Sequence, residues 1–188
     1  EISLADQFGV SRMAIRDALR SLEAVGIIEI RVGQRGGVYV AEGDPARLSD
    51  LLAIQFKLLD VKADEMVDAQ IAIEVVAAGL AAEKATAEEI AGLWSLIAQM
   101  EDNGAASIGF VRLALEFHTA VVDASHNRVL SAQFRALKHL LLPLYAQGTT
   151  PGVVERAIAA NKALVACIAA RDPSAARSVL DNRLQLIT

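Results

Sequence analysis

With 188 residues, 54% of them hydrophobic and 22% charged, the chain is too apolar to stay disordered and too mixed to be fibrous. Its single cysteine, Cys167, excludes an internal disulfide framework and any multi-cysteine zinc site, and a reducing cytoplasm is the expected compartment. A net charge of −5, taken globally, opposes nucleic-acid binding, so the charges have to be located along the chain.

The positive charge is clustered near the start. Arg12, Arg16 and Arg20 recur every four residues, Arg31 and Arg35 stand in a glycine-rich stretch, and only Asp17, Glu23 and Glu29 interrupt the five. No secretory signal is expected, since residues 1–6 offer neither a basic start nor an apolar run. No membrane partner is expected either: no apolar stretch approaches the roughly 18 residues of a span, and the longest candidate, around Leu140 to Leu142, carries His139 and meets Pro143.

In chain order, residues 4–8 read as a short helix capped by Ser3 and broken by Gly9. Ser11 caps a second helix running to about residue 25, which Gly26 ends. Residues 27–31 are a β-branched run, 33–37 a turn and 38–40 a second short strand. Near residues 42–45 the strand signals stop. Helices are then predicted over 46–59, 63–85, 87–102, 106–124, 127–146, 151–171 and 173–186, with Pro151 and Pro173 at starts where a missing amide is harmless. The expected fold is mainly α: a helix-turn-helix with a hairpin over 1–42, a linker at 43–47, and an all-α antiparallel bundle over 48–188.

A helix, a tight turn and a helix opened by Ser11 is an arrangement in which the second helix can enter a DNA major groove by its first turns. Arg12 and Arg16 then point the same way, and a guanidinium can hold guanine O6 and N7 together or grip phosphates. The hairpin places Arg31, Gln34 and Arg35 beside them, and Gly33, Gly36 and Gly37 let the backbone approach a groove edge. The run LADQFGVSRMAIRDALRSLEAVGIIEIRVGQRGGVYV resembles the winged helix-turn-helix of the GntR superfamily of bacterial transcription regulators. The helical remainder resembles the FCD ligand-binding domain of its FadR subfamily. The resemblance implies that Ser11, Arg12 and Arg16 are recognition-helix positions and that Gly33, Gln34 and Arg35 form the wing tip. Members normally carry a further helix before this segment, so the head is expected to be truncated at its start.

Four helices of the bundle carry one polar residue inside an apolar stripe: Gln70 between Met66 and Ile73, His118 between Leu115 and Val122, Asn161 between Ile158 and Val165, and Arg183 between Leu180 and Ile187. A buried donor or acceptor without a partner costs about 1–3 kcal/mol, so four such residues together predict one pocket. The resemblance implies that an FCD pocket holds a divalent metal through an Asp and three His. Here His118 matches the first histidine, but Ala114, Asn161 and Arg183 stand at the other three ligand positions, and Gln70 replaces an arginine usual in the pocket. Asn is a poor ligand for zinc-like ions and a protonated Arg is none, so neither a bound metal nor another cofactor is expected. Arg183 is expected to meet an anionic effector instead, a carboxylate or acyl compound, unless Glu74 ties it up internally.

No enzyme is expected. There is no Walker loop, GxSxG or HExxH, and residues 33–37 lack the spacing and following helix of a dinucleotide-binding turn. The function these features predict is a cytoplasmic, homodimeric, ligand-responsive regulator of operator DNA, a repressor. Its rivals are a ligand-binding scaffold without sequence-specific DNA binding and a metal-dependent sensor.

Overall fold

The computed structural model describes residues 1–33, 36–103 and 107–184, and the chain divides into two compact units, Glu1–Arg47 and the residues from Leu48 onward. In the first, α1 (Ile2–Phe8) starts earlier than the sequence suggests, so Ser3 lies inside the helix rather than at its cap. Gly9 closes α1 in the left-handed region at φ 66°, where a Cβ is costly. Ser11 then caps α2 (Arg12–Ala24), its Oγ accepting from the Ala14 N–H at 3.1 Å. Ala5, Ile15, Leu19 and Ile28 are the buried residues of this unit's core, with Leu4 and Ile30 packed against them.

The hairpin of β1 (Ile28–Arg31) and β2 (Gly37–Val40) is antiparallel, pairing Ile28 with Val40 and Arg31 with Gly37. Its turn depends on Gly36, whose N–H donates to the Gly33 carbonyl at 2.8 Å. A Cβ on Gly36 would sit 2.3 Å from the Arg31 carbonyl oxygen, closer than any side chain can approach.

Helix α3 (Pro45–Leu58) begins inside the expected linker, leaving only residues 43 and 44 of that stretch outside a helix. Proline is tolerated in a first turn because its missing N–H has no intrahelical partner, and Asp44 Oδ1 accepts the Ala46 N–H at 2.9 Å. The helices that follow are α4 (Ala63–Lys84), α5 (Ala87–Asn103), α6 (Ile108–Asp123), α7 (Arg128–Gly148), α8 (Pro151–Ala169) and α9 (Pro173–Leu184). Side-chain caps start several of them: Ser107 for α6, Asn127 for α7 and Thr150 for α8.

α4 is the centre of this unit, packed by α6, α7, α8 and α9. It can be, because Ala77, Ala78, Ala81 and Ala82 are fully buried and their small side chains let neighbouring backbones approach. Two apolar clusters flank it. One joins Leu93, Ile97, Phe117, Val165 and Leu180, and the other Val111, Leu115, Phe134 and Leu141. Burying such side chains stabilises by roughly 1.5–3 kcal/mol each, which leaves polar residues in these helices needing partners of their own. Among the described residues no helix is long and apolar enough to cross a membrane.

Candidate functional site

In the first unit, burial of Ile15 and Leu19 turns Arg12, Arg16 and Arg20 outward, and all three are exposed. Ser11 is spent on capping, so its oxygen is occupied by the Ala14 amide, although its O–H remains a donor. Arg12 makes no ion pair among the described residues. Arg16 does: its Nη2 lies 2.9 Å and its Nε 3.3 Å from Glu1 Oε2. On the hairpin, Arg31 donates to both Glu29 oxygens at 3.1 Å and stacks 4.7 Å from the Tyr39 ring centroid. The Glu29 carboxyl is therefore held below its usual pKa by the Arg31 hydrogen bonds, and Arg31 is a braced side chain of the hairpin rather than a free one. Gly33 takes φ 123°, a conformation only glycine adopts readily. Gln34 and Arg35, the other wing-tip positions, lie outside the described residues.

In the second unit a cavity of about 550 Å³ opens between α4, α6, α7, α8 and α9. Val67, Phe110, Val111, Leu144 and Val153 give it apolar walls, Tyr145, Thr149 and Asp64 add polar groups, and Arg183 is its cation. Of the four residues expected to wall one pocket, only Arg183 lines this cavity. Gln70 and His118 stand behind it, and a pairing network explains why. Gln70 Nε2 donates to Glu74 Oε1 at 2.6 Å, and Tyr145 Oη donates to Gln70 Oε1. His118 Nδ1 lies 2.6 Å from Glu74 Oε2, off the ideal hydrogen-bond direction, and its Nε2 meets Arg183 Nη1. Since a guanidinium can only donate, His118 Nε2 is the acceptor and its proton sits on Nδ1, facing Glu74.

Glu74, His118 and Arg183 thus form a row in which a neutral imidazole links an anion to a cation. Burial is the main force lowering the His118 pKa; Glu74 opposes it and Arg183 adds to it. Burial, then the charge of Glu74, pushes the Tyr145 hydroxyl up to about 12, so it stays a neutral donor. Asn161 takes no part. One turn beyond the cavity-lining Ala157, it is buried with its Nδ2 3.9 Å from Met100 Sδ and its Oδ1 unpartnered among the described residues. Ile187, in the stripe of Arg183, lies outside the described residues.

This donor set does not fit a divalent metal. Both His118 nitrogens already face partners, one of them a cation, Ala114 offers only a methyl to the cavity, and among the described residues no three His, Cys, Asp or Glu cluster. The network has a pH signature of its own. An unfolded histidine takes up a proton as pH falls through about 6.5, whereas folded His118 titrates lower, so the unfolded chain binds more protons in that window. Stability from this residue is complete above about pH 6.5 and declines as pH falls below it. The melting temperature should therefore drop between about pH 7.5 and 5.5, and drop less in His118→Asn, which keeps a donor toward Glu74 but cannot titrate. Identical profiles for the two proteins would refute the buried, neutral assignment.

Sequence reasoning missed Tyr145 entirely and treated Glu74 only as a rival partner for Arg183. Glu74 was findable, because it lies one turn beyond Gln70 on α4 and on the same face. Tyr145, 75 residues from Gln70, carries no local signal of the pairing.

Comparison with known proteins agrees with both units. The family model described as bacterial regulatory proteins, gntR family, matches residues 1–40, and the FCD domain model matches residues 65–186. The regulator LutR of Bacillus subtilis is 32% identical over 142 residues, covering 74% of this chain and 63% of LutR. The galactonate operon transcriptional repressor of Escherichia coli is 28% identical over 144 residues, covering 74% of this chain and 62% of that protein. The chain therefore spans less than two thirds of these relatives, which are transcription regulators and not enzymes. Among solved structures, a Streptococcus agalactiae GntR protein has the same fold, with a TM-score of 0.65 at 21% identity over 99% of this chain and 85% of that one. With its amino-terminal part matching the gntR model and most of the rest matching FCD, the chain belongs to the gntR family of bacterial regulatory proteins.

Proposed function

We infer that this protein is a ligand-responsive repressor that binds operator DNA as a homodimer and is released by a small acidic or acyl effector held in its helical unit. Residues 1–42 act as the DNA-binding head and residues 48–188 as the effector-binding and dimerising part. One observation carries the DNA half: the first turns of α2 expose Arg12 and Arg16 together, beside a hairpin whose turn is built on glycine. A single head gives weak, largely electrostatic binding, and two heads about one helical turn of DNA apart multiply the discrimination. The galactonate repressor's name sets a precedent for control of a metabolic operon.

The effector acts by population shift. It alters operator affinity only to the extent that it binds the two arrangements of the dimer differently. The test is duplex selection from a random pool, followed by titration of the selected duplex at several salt concentrations. Replacing Arg12 or Arg16 by Ala is expected to flatten the slope of log K against log[salt], by roughly 0.9 for each phosphate the protein then leaves unneutralised. Binding that shows no preference for any duplex over random competitor at any ionic strength would refute the reading, and leave a ligand-binding scaffold in its place.

A further inference from the structure

We propose that Met13 reads a thymine of the operator by packing on its C5-methyl group in the major groove, which makes it a specificity-determining residue of α2. This rests on the operator reading above and names one base that the helix selects. A single exposed apolar side chain needs no explanation by itself, and here its position supplies one. Met13 is the second residue of α2, directly after Arg12, and it is 68% exposed. It lies about half a turn around the helix from the buried Ile15 and takes no part in the apolar core of that unit. Met13, Arg16 and Arg20 recur at i, i+3 and i+7, so they share one face of α2.

The chemistry of that face separates affinity from selectivity. Its guanidinium groups attract any duplex through the phosphates, and such contacts carry no sequence information unless they reach a base edge. Asp17 stands on the same face one turn beyond Met13, and a carboxylate fits a cytosine N4 donor better than a phosphate. This mixture of groups suits base edges. Among them the thymine methyl is the apolar group that the major groove displays. Methionine is unbranched and polarisable, so its side chain can settle on that methyl, and the contact takes apolar surface of both partners out of water. No charge is involved, so the contact adds selectivity without adding to the salt dependence.

The experiment uses the full chain and the duplex selected from the random pool. Each thymine is replaced in turn by uracil, which removes the methyl group and leaves pairing and the O4 acceptor intact. Expected is one thymine in a half-site whose replacement weakens the unaltered protein about fourfold, the effect of losing one buried methyl, and leaves Met13→Ala and Met13→Gln indifferent. On the thymine duplex those two variants should bind several-fold more weakly and Met13→Leu should not. All of them should keep the same slope of log K against log[salt] and, since the side chain is exposed, the same unfolding midpoint. Equal sensitivity of the unaltered protein and Met13→Ala to every uracil replacement would overturn the proposal and leave operator binding standing. A changed salt slope or a lowered midpoint in Met13→Ala and Met13→Gln would do the same, by assigning the residue to phosphate steering or to folding. A pool that yields no preferred duplex would overturn the operator reading, and this proposal with it.

Discussion

Glu74→Ala is expected to destabilise the helical unit by about 3–5 kcal/mol, a large share of the roughly 5–15 kcal/mol that holds a domain folded. Glu74 is fully buried on the central helix, and its carboxylate accepts from Gln70 and faces His118. Truncation strands both donors and leaves Arg183 without the anion that offsets its burial. Urea unfolding measures the loss as a lower midpoint at unchanged slope. The charge component separates in a double variant: adding Arg183→Met to Glu74→Ala removes the orphaned cation, so the pair should lose less than the sum of the two single changes. A loss below about 1 kcal/mol for Glu74→Ala would mean that water, rather than the imidazole and guanidinium, satisfies this carboxylate.

That network also shows what a sequence can and cannot disclose. Helix limits were legible because the signals are local: Ser11 and Asn127 accept from amides within three residues, and Pro151 and Pro173 start α8 and α9. The start of α1 and the first turn of α3 were misplaced for the same reason, because Ser3 and Pro45 are each compatible with more than one register. Burial alone says that polar residues inside apolar stripes need partners, which Gln70, His118 and Arg183 find in one another's network and the Asn161 Oδ1 does not find among the described residues. Which partners they take depends on helix packing. His118 and Arg183 are 65 residues apart, so periodicity places each on an inward face without saying which faces meet. Asn161 has the same stripe signature as His118, yet packing sets it against a methionine sulfur and away from the row of charged groups.

The arginines of α2 should not contribute equally to DNA binding, and the difference follows from their surroundings. Arg12 stands in the first turn of the helix with no ion-pair partner among the described residues, so nothing has to be broken before it meets a base edge or phosphate. Its replacement by Ala should cost about 1–3 kcal/mol of specific binding, with relaxed preference at one operator position if it reads a base and a uniform loss if it grips phosphate. Arg16 is held by Glu1 through both guanidinium and carboxylate forks, and that pairing raises its pKa and lowers that of Glu1. An exposed pair of this kind exchanges readily for a phosphate, but if α2 enters the groove the released carboxylate would be left beside the DNA backbone and repelled by it. Arg16→Ala should therefore weaken binding less than Arg12→Ala, and Glu1→Gln should strengthen it, most clearly at low salt where screening is weakest. Mobility-shift titrations of the selected operator at two salt concentrations rank the three variants. Equal losses for Arg12→Ala and Arg16→Ala, with Glu1→Gln neutral, would show that the Glu1 pairing does not persist at the DNA surface.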